Sequence, residues 1–398
     1  MCRPRGIVPR GAWTIAWLSI TVLFSAVPSG ATHVDPSEIV YVLAPDAIPA
    51  ITEPQLTTDD RWLSPSDPVV GVAVGGDARA YPIRILNWHE VVNDWVDGRA
   101  VAVTFCPLCG TGIAYDRSAN GQQLVFKVSG KLYKNDLVMY DTGTGSLWSQ
   151  LLGEAIQGPL HGSRLSLVSS ATMAWSDWKL LHPETRLLAR PRVADGSFQR
   201  NYDVDPYEGY ALSTAVWFPQ GNVDTTSGLH PKEYILGVVL NGVAKAYPYR
   251  FLSVERVVND AVGGEPIVVT FSRDTARAFS RPSGNFTFVD EATMRDEDGI
   301  THDLLTGRAL GGGQDLVPVA AKESFWFAWF DFYPDTEVYR VGRVAGKRPA
   351  PSPSLPLFLA VAAGAMGSFI AVVEIARRIA RRKVLGAKVN PPPARNRR

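Results

Sequence analysis

An internal sequence repeat constrains the fold of this chain more than any other feature. The stretch GVAVGGDARAYPIRILNWHEVVNDWVDGRAVAVTF (residues 71–105) aligns without a gap to GVVLNGVAKAYPYRFLSVERVVNDAVGGEPIVVTF (residues 237–271). A further match joins residues 175–188 to residues 326–339 at a smaller offset. Self-similarity of this length indicates a structural unit that occurs twice. The sequence therefore predicts a tandem duplication whose second copy is shorter in its connecting hairpins.

Within each copy, short apolar runs alternate with turn residues. Runs such as VVGVAV, RAYPI and AVAVTF are separated by Gly, Asn and Asp, which is typical of strands. Two segments have helical spacing instead: residues 83–96, and residues 171–183 with Thr172 as the predicted N-cap and Pro183 as the stop. The predicted fold class is therefore α+β and β-rich, a tandem duplication of one β-rich domain with two helices per copy.

Apolar runs near both ends of the chain predict export and anchoring. The run GAWTIAWLSITVLFSAV follows three arginines and precedes small residues suited to cleavage, as in a signal peptide. The uncharged run LPLFLAVAAGAMGSFIAVV is long enough to cross a membrane as a C-terminal transmembrane helix. The basic residues after this run predict that the C-terminal tail lies in the cytoplasm. The sequence predicts a single-pass protein of the cell (inner) membrane, with most of the chain on the extracytoplasmic, periplasmic side.

The domain organisation follows from the repeat and the apolar runs. The middle of the chain is acidic, since Thr32 to Ser354 contains 28 Lys and Arg against 38 Asp and Glu, a net charge of −10. This charge argues against a nucleic-acid partner and leaves a protein or redox partner open. The predicted segments are a signal peptide (1–31), a first repeat domain (36–204), a second, degenerate repeat domain (205–345), a Pro-rich linker (346–354), a transmembrane helix (355–376) and a basic cytoplasmic tail (377–398).

Three motifs in the first repeat resemble a known family. They are RAYPIRILNWHEVVND, TFCPLCGT and LVMYDTGTGSLWSQLLGEAIQGPLHG, in this order between Pro68 and Leu188. Together they resemble the domain of unknown function numbered 3179, a family of exported prokaryotic proteins. The resemblance implies export but no particular activity, so the chemistry must be argued from the residues themselves.

Cys106 and Cys109, in the stretch TFCPLCGTGIAYD, are the cysteines that would remain after removal of the signal peptide. They follow a predicted strand, and the next residues do not resemble the first helical turn that lowers the thiol pKa in thioredoxin-like proteins. The C-P-x-C-G spacing instead resembles the metal-binding turn of zinc ribbons and rubredoxins. No second cysteine pair follows, so any further metal ligands must be histidine, methionine, carboxylate or solvent.

His89 is the predicted third ligand of this site. On a helix over residues 83–96, its side chain would lie on an inward apolar face. The apolar positions persist in the second copy, whereas the three reactive residues are lost together. Cys106, Cys109 and His89 align there with Ser272, Thr275 and Glu255.

Met139 and His161 are weaker candidates for a fourth ligand. Sulfur and imidazole ligands suit copper or zinc, and these are the predicted metals. Lys134 and Asn135 lie in KLYKNDLVMYD, a run that predicts an exposed hairpin edge close to the cysteine strand. There Lys134 is favoured as a solvated loop charge, and the alternative is that it lowers a thiol pKa. Two alternatives stay open: a thiol–disulfide redox protein that uses Cys106 and Cys109, and a non-catalytic binding or scaffold module with a structural disulfide.

Overall fold

The computed structural model describes residues 34–218, 221–282 and 284–341. The predicted signal peptide (1–31), Pro-rich linker (346–354), transmembrane helix (355–376) and basic tail (377–398) all lie outside these described residues. Their assignments, and the periplasmic location that rests on them, stay predictions.

The first half of the described chain consists mainly of short strands. Its helices are α1 (Ile83–His89) and α2 (Trp175–Leu181). Its strands are β1 (Ile39–Tyr41), β2 (Ile51–Thr52), β3 (Leu56–Thr57), β4 (Pro68–Val74), β5 (Asp77–Pro82), β6 (Val91–Val96), β7 (Arg99–Cys106), β8 (Thr111–Asp116), β9 (Ser118–Ala119), β10 (Gln122–Gln123), β11 (Phe126–Tyr133), β12 (Asp136–Asp141), β13 (Leu147–Ser149), β14 (Glu154–Gln157), β15 (Leu167–Val168), β16 (Ser170–Ala174) and β17 (Arg186–Leu188).

The second half has shorter sheets. Its helices are α3 (Tyr249–Glu255) and α4 (Trp326–Phe332). Its strands are β18 (Tyr234–Leu240), β19 (Val243–Pro248), β20 (Val257–Val262), β21 (Glu265–Ser272), β22 (Thr275–Ser280), β23 (Thr287–Phe288), β24 (Thr293–Arg295), β25 (Thr301–Asp303), β26 (Ala309–Leu310), β27 (Ala321–Phe325) and β28 (Glu337–Val338).

Three five-stranded sheets form the first half, with strand orders β1-β11-β12-β13-β14, β15-β8-β7-β6-β2 and β16-β4-β5-β17-β3. Strand β7 is buried on both faces. Val101, Val103 and Phe105 pack into one hydrophobic cluster, whereas Ala102 and Cys106 pack into another. Because side chains alternate along a strand, this register directs Cys106 towards the sheet that contains β11 and β12.

The described residues do not support the transmembrane part of the predicted fold class. The described residues are β-rich and contain four helices of seven residues each. At 1.5 Å per residue such a helix is about 10 Å long, roughly one third of the hydrocarbon thickness of a bilayer. No helix in the described ranges is therefore long and apolar enough to span a membrane.

The tandem duplication in the predicted fold class is not shown either. Both repeated stretches have the element order strand, strand, helix, strand, strand, strand, but the surrounding sheets differ. β21 lies in a three-stranded sheet, whereas β7 lies in a five-stranded one. The described residues cluster as one compact unit, and the hydrophobic cluster around Cys106 includes Phe325 and Ala328 of the second half. The predicted domain boundary near residue 204 stays a prediction.

Both helix predictions in the first half need correction. Helix α1 stops at His89 because Glu90 has φ +57°, and its N–H closes the helix on the carbonyl of Leu86. Residues 91–96 form β6 instead, because the β-branched Val-Val run pairs with β7. Thr172, the predicted N-cap of the second helix, lies within β16, and α2 begins only at Trp175.

Candidate functional site

The C-P-L-C turn connects β7 to β8. Cys106 at the end of β7 pairs with Thr111 at the start of β8, and the N–H of Cys109 donates to the carbonyl of Cys106 at 3.2 Å. Gly110 completes the turn with φ +65°, and a Cβ there would lie 2.9 Å from the ring of Phe325. The turn therefore needs glycine for its backbone conformation and for the close approach of an aromatic ring from the second half.

Both thiols lie under the tip of the β11–β12 hairpin. This tip is a two-residue turn in which Lys134 and Asn135 have φ +49° and +63°, as in a type I′ hairpin. The Cys109 thiol donates to the backbone carbonyl of Asn135 at 3.2 Å, and the Cys106 sulfur lies 4.0 Å from the same oxygen. Both cysteines are buried, and neither is in a disulfide. The predicted hairpin thus covers the cysteines and is not an exposed edge.

Asp136, the first residue after this turn, completes a group of three metal-ligating side chains. A sulfur of Cys106, a sulfur of Cys109 and a carboxylate oxygen of Asp136 all lie within 4.8 Å of one another. Oδ2 of Asp136 accepts from the N–H of Leu151 at 2.8 Å and from the hydroxyl of Ser149 at 3.0 Å. Its Oδ1 is buried and has no hydrogen-bond partner among the described residues.

Burial disfavours the charged forms of these groups. It raises the pKa of Asp136 to about 7, against the lowering effect of hydrogen bonds from Leu151, Ser149 and Leu137 and of the charge of Lys322. Burial also raises the pKa of the Cys109 thiol well above its ordinary value, and Cys106 and Asp136 add to that shift. Glu90 is buried as well, and its pKa rises to about 8 through burial and the charge of Asp136. Without a bound cation, this site keeps its protons near neutral pH.

Lys322 of β27 is the cation that acts on Asp136. Its ammonium donates to the carbonyl of Leu151, the residue whose N–H donates to Asp136. Burial lowers the pKa of Lys322 to about 8, opposed by the charge of Asp136. The second half of the chain therefore contributes a positive charge beside the cysteine site.

His89 does not belong to the group of Cys106, Cys109 and Asp136. Its Nδ1 lies 2.7 Å from the carbonyl of Pro49, and its Nε2 lies 2.8 Å from the hydroxyl of Tyr202. A carbonyl can only accept, so Nδ1 carries the proton and Nε2 accepts from Tyr202. Burial lowers the pKa of His89 to about 4, which keeps the ring neutral. The structure thus joins His89 to two other segments and not to the sulfurs.

The other predicted residues lie in three different environments. Met139 is fully buried in the same hydrophobic cluster as the cysteines, but strand alternation places it and Asp136 on opposite faces of β12. His161 lies in an exposed turn and is outside the three-residue group. The Lys134 ammonium donates to the backbone carbonyl of Asp331 at 3.1 Å, so it anchors the hairpin tip to α4.

The corresponding turn in the second half is shorter and has no position equivalent to Cys109. Ser272 pairs directly with Thr275, and a two-residue turn of Arg273 and Asp274 separates them. The pair equivalent to Ser272 and Thr275 is therefore Cys106 and Thr111, and the alignment of Cys109 with Thr275 was wrong. The C-P-L-C turn is two residues longer, and this insertion contains Cys109.

Sequence reasoning missed Asp136, Glu90 and Tyr210. Asp136 follows the Lys-Asn turn of a hairpin that the sequence placed near the cysteines, so a search for carboxylates next to that turn would have found it. Glu90 was hidden by the assumption of one continuous helix. Tyr210 lies about one hundred residues after the cysteines, and no spacing pattern connects them.

The comparisons with known proteins agree with the motifs around this site. The family described as "Protein of unknown function (DUF3179)" matches the chain over residues 45–336, which is most of its length and includes the whole cysteine site. The chain belongs to this family. No curated protein and no solved structure matches the chain.

Proposed function

We propose that this member of the DUF3179 family binds one thiophilic metal ion through Cys106, Cys109 and Asp136. The observation that carries the proposal is the buried Oδ1 of Asp136, which has no partner in the described ranges and belongs to a carboxylate next to two buried thiols. An unsatisfied buried acceptor costs about 1–3 kcal/mol. A metal ion would bind the lone pairs of this carboxylate and of both sulfurs, and would remove that cost.

The charges around the site support a divalent ion. Each of the three ligands carries one negative charge when deprotonated, and Lys322 adds one positive charge nearby. A divalent ion would make this set formally neutral. A monovalent ion would leave one negative charge buried without a partner, which is unfavourable in a low-dielectric site.

Asp136 also affects which metal the site prefers. Thiolates suit both zinc and Cu(I), whereas a carboxylate is a harder ligand that suits zinc better. We therefore propose zinc, with copper as the second candidate. Three protein ligands leave one position of a tetrahedral zinc site open, as in catalytic rather than structural zinc sites. A zinc ion bound there would act as a Lewis acid on one small ligand.

A thiol–disulfide redox function has weaker support. Thiol exchange needs an accessible cysteine with a lowered pKa, because the thiolate is the nucleophile. Cys109 is fully buried and its pKa is raised, and its neighbours are carboxyl groups that oppose the thiolate. A divalent ion would reverse this electrostatic effect, since its charge stabilises the thiolate.

Equilibrium dialysis of the reduced, metal-free full-length protein against buffered Zn²⁺ tests the proposal. We expect about one zinc per chain in the wild type and less than about one tenth of that in Cys109→Ser and Asp136→Asn. Ser272→Ala is the matched control, because Ser272 occupies the position of Cys106 in the second half and should leave the stoichiometry unchanged. A wild type without zinc, or an Asp136→Asn variant that binds like the wild type, would contradict the ligand set.

A further inference from the structure

A long connecting segment covers the cysteine site on the side of α1. This strap (residues 199–218) has little regular structure apart from one short 3₁₀ turn at Tyr210–Leu212. Three consecutive residues at the end of α1 anchor it through hydrogen bonds. The bonded pairs are Asn87 with Asp205, Trp88 with the carbonyl of Val204, and His89 with Tyr202.

Tyr210 is the strap residue that is fully part of the hydrophobic cluster around the thiols. It is 2% exposed and belongs to the same hydrophobic cluster as Cys106 and Cys109. The ring of Trp217 lies 4.5 Å from its ring, and the ammonium of Lys232 lies 3.9 Å from the ring centroid. Lys232 is itself held by the backbone carbonyls of Ser213 and Ala215. The position of the tyrosine is therefore determined from several sides.

The hydroxyl of Tyr210 is buried and has no hydrogen-bond partner in the part of the chain that the structure describes. Burial raises the pKa of this hydroxyl, the backbone N–H of Trp217 opposes that shift from the oxygen side, and no acceptor among the described residues faces the hydroxyl proton. The Cys109 and Cys106 thiols are close enough to act on this hydroxyl, and their negative charge would raise its pKa further. One buried cluster thus contains two unsatisfied polar atoms, the Tyr210 hydroxyl and Oδ1 of Asp136.

These two atoms call for different partners. Oδ1 of Asp136 is an acceptor and fits the metal ion, whereas the Tyr210 hydroxyl is a donor and needs a lone pair. A tetrahedral ion with three protein ligands has one position left for such a lone pair. We propose that the site binds a small anion, with an oxygen or nitrogen donor atom, at the fourth metal position, and that the Tyr210 hydroxyl donates a hydrogen bond to it. This inference rests on the proposed metal site.

The charges and the burial of the cluster support a small anion. The divalent ion is already balanced by its three ligands and Lys322, so the Lys232 ammonium beside the Tyr210 ring is the positive charge that balances an added anion. The surrounding residues are buried, and the strap closes the site, so a bulky ligand has no room without movement of the strap. Small carboxylates and azide have the required charge, size and lone pairs.

Azide binding to the Co²⁺-loaded full-length protein tests this inference. Co²⁺ replaces zinc and gives thiolate charge-transfer and d–d bands, and the d–d bands shift when the fourth ligand changes. We expect Tyr210→Phe to bind Co²⁺ within about threefold of the wild type and to bind azide about tenfold or more weakly, because one hydrogen bond to a charged ligand is lost. Tyr115→Phe is the matched control, since the Tyr115 hydroxyl lies in the same cluster but already donates to the Gln150 carbonyl.

The possible outcomes separate the two proposals. A wild type that shows no Co²⁺ bands would overturn the metal site itself. Normal Co²⁺ bands with equal azide affinity in wild type and Tyr210→Phe, or no azide effect on the wild type, would overturn the role of Tyr210 alone. A second measurement does not depend on the variant: 3-fluorotyrosine at position 210 should give a ¹⁹F resonance that shifts on azide addition. An unshifted resonance would equally overturn the role of Tyr210.

Discussion

Replacing Asp136 by Asn removes one buried ionisable group while its shape is kept. In the metal-free native state burial raises the pKa of this carboxyl to about 7, whereas its ordinary value is 3.8. Above pH 3.8 the unfolded chain ionises at this residue while the native protein keeps the proton. The free energy of unfolding therefore falls by about 1.4 kcal/mol for each pH unit, until the native carboxyl also ionises near pH 7.

Between pH 5 and pH 8 this effect amounts to about 3 kcal/mol, because the loss ends two units above pH 5. Glu90, with a pKa raised to about 8 by burial and by the charge of Asp136, contributes a loss of the same sign in both proteins. The difference between wild type and Asp136→Asn therefore reports Asp136 together with its effect on Glu90. Urea denaturation of the metal-free full-length proteins at the two pH values measures it, and we expect the wild type to lose about 3 kcal/mol more than the variant.

Addition of zinc at pH 8 should stabilise the wild type more than Asp136→Asn. Zinc bound to the proposed site would stabilise the native wild type by mass action, whereas Asp136→Asn would lack the third proposed ligand and should gain much less. An equal dependence on pH in the two proteins would refute the buried, protonated state of Asp136. Equal stabilisation by zinc would refute its role as a ligand.

Two further predictions concern the C-P-L-C turn and His89. Gly110→Ala should destabilise the protein by about 2–4 kcal/mol in urea denaturation, because a positive φ and the contact with Phe325 both oppose a Cβ. Gly121→Ala is the control: Gly121 has φ +74° but no atom within 4 Å of an added Cβ, so this change should cost only about 1 kcal/mol. Equal losses would contradict the role of Phe325. His89→Gln should lower the free energy of unfolding by about 1–3 kcal/mol, because the hydrogen bonds of His89 with Pro49 and Tyr202 are lost. Its zinc affinity, measured by dialysis, should stay within about threefold of the wild type. Loss of zinc binding in this variant would contradict our ligand set.

Local sequence patterns predicted much of the strand content and the location of the cysteines at a strand end. Alternating apolar residues identify β4, β7 and β8, because each strand places its side chains on two faces. The helix over residues 83–96 failed at its second half. The segment Val91–Val96 fits both periodicities, and pairing with β7 decided in favour of a strand.

The candidate site itself was only half predictable. Cys106 and Cys109 are close in sequence, so their spacing was informative. Asp136, Lys322 and Tyr210 reach the same cluster through a hairpin tip, a strand of the second half and the strap. Such contacts depend on tertiary packing, and no local pattern encodes them. His89 stays a prediction as a ligand: its apolar surroundings were predicted, but its two hydrogen-bond partners lie far away in sequence, and no local pattern indicated them.

X-ray absorption at the zinc edge of the purified zinc-loaded protein tests the central claim most directly. The proposed ligands predict two sulfur atoms at about 2.3 Å and oxygen atoms at about 2.0–2.2 Å from the ion. Asp136→Asn should lose the bound zinc or its short oxygen scatterer, while Ser272→Ala should give the wild-type spectrum. A first shell of nitrogen and oxygen without sulfur, or a protein that holds no zinc, would contradict the account.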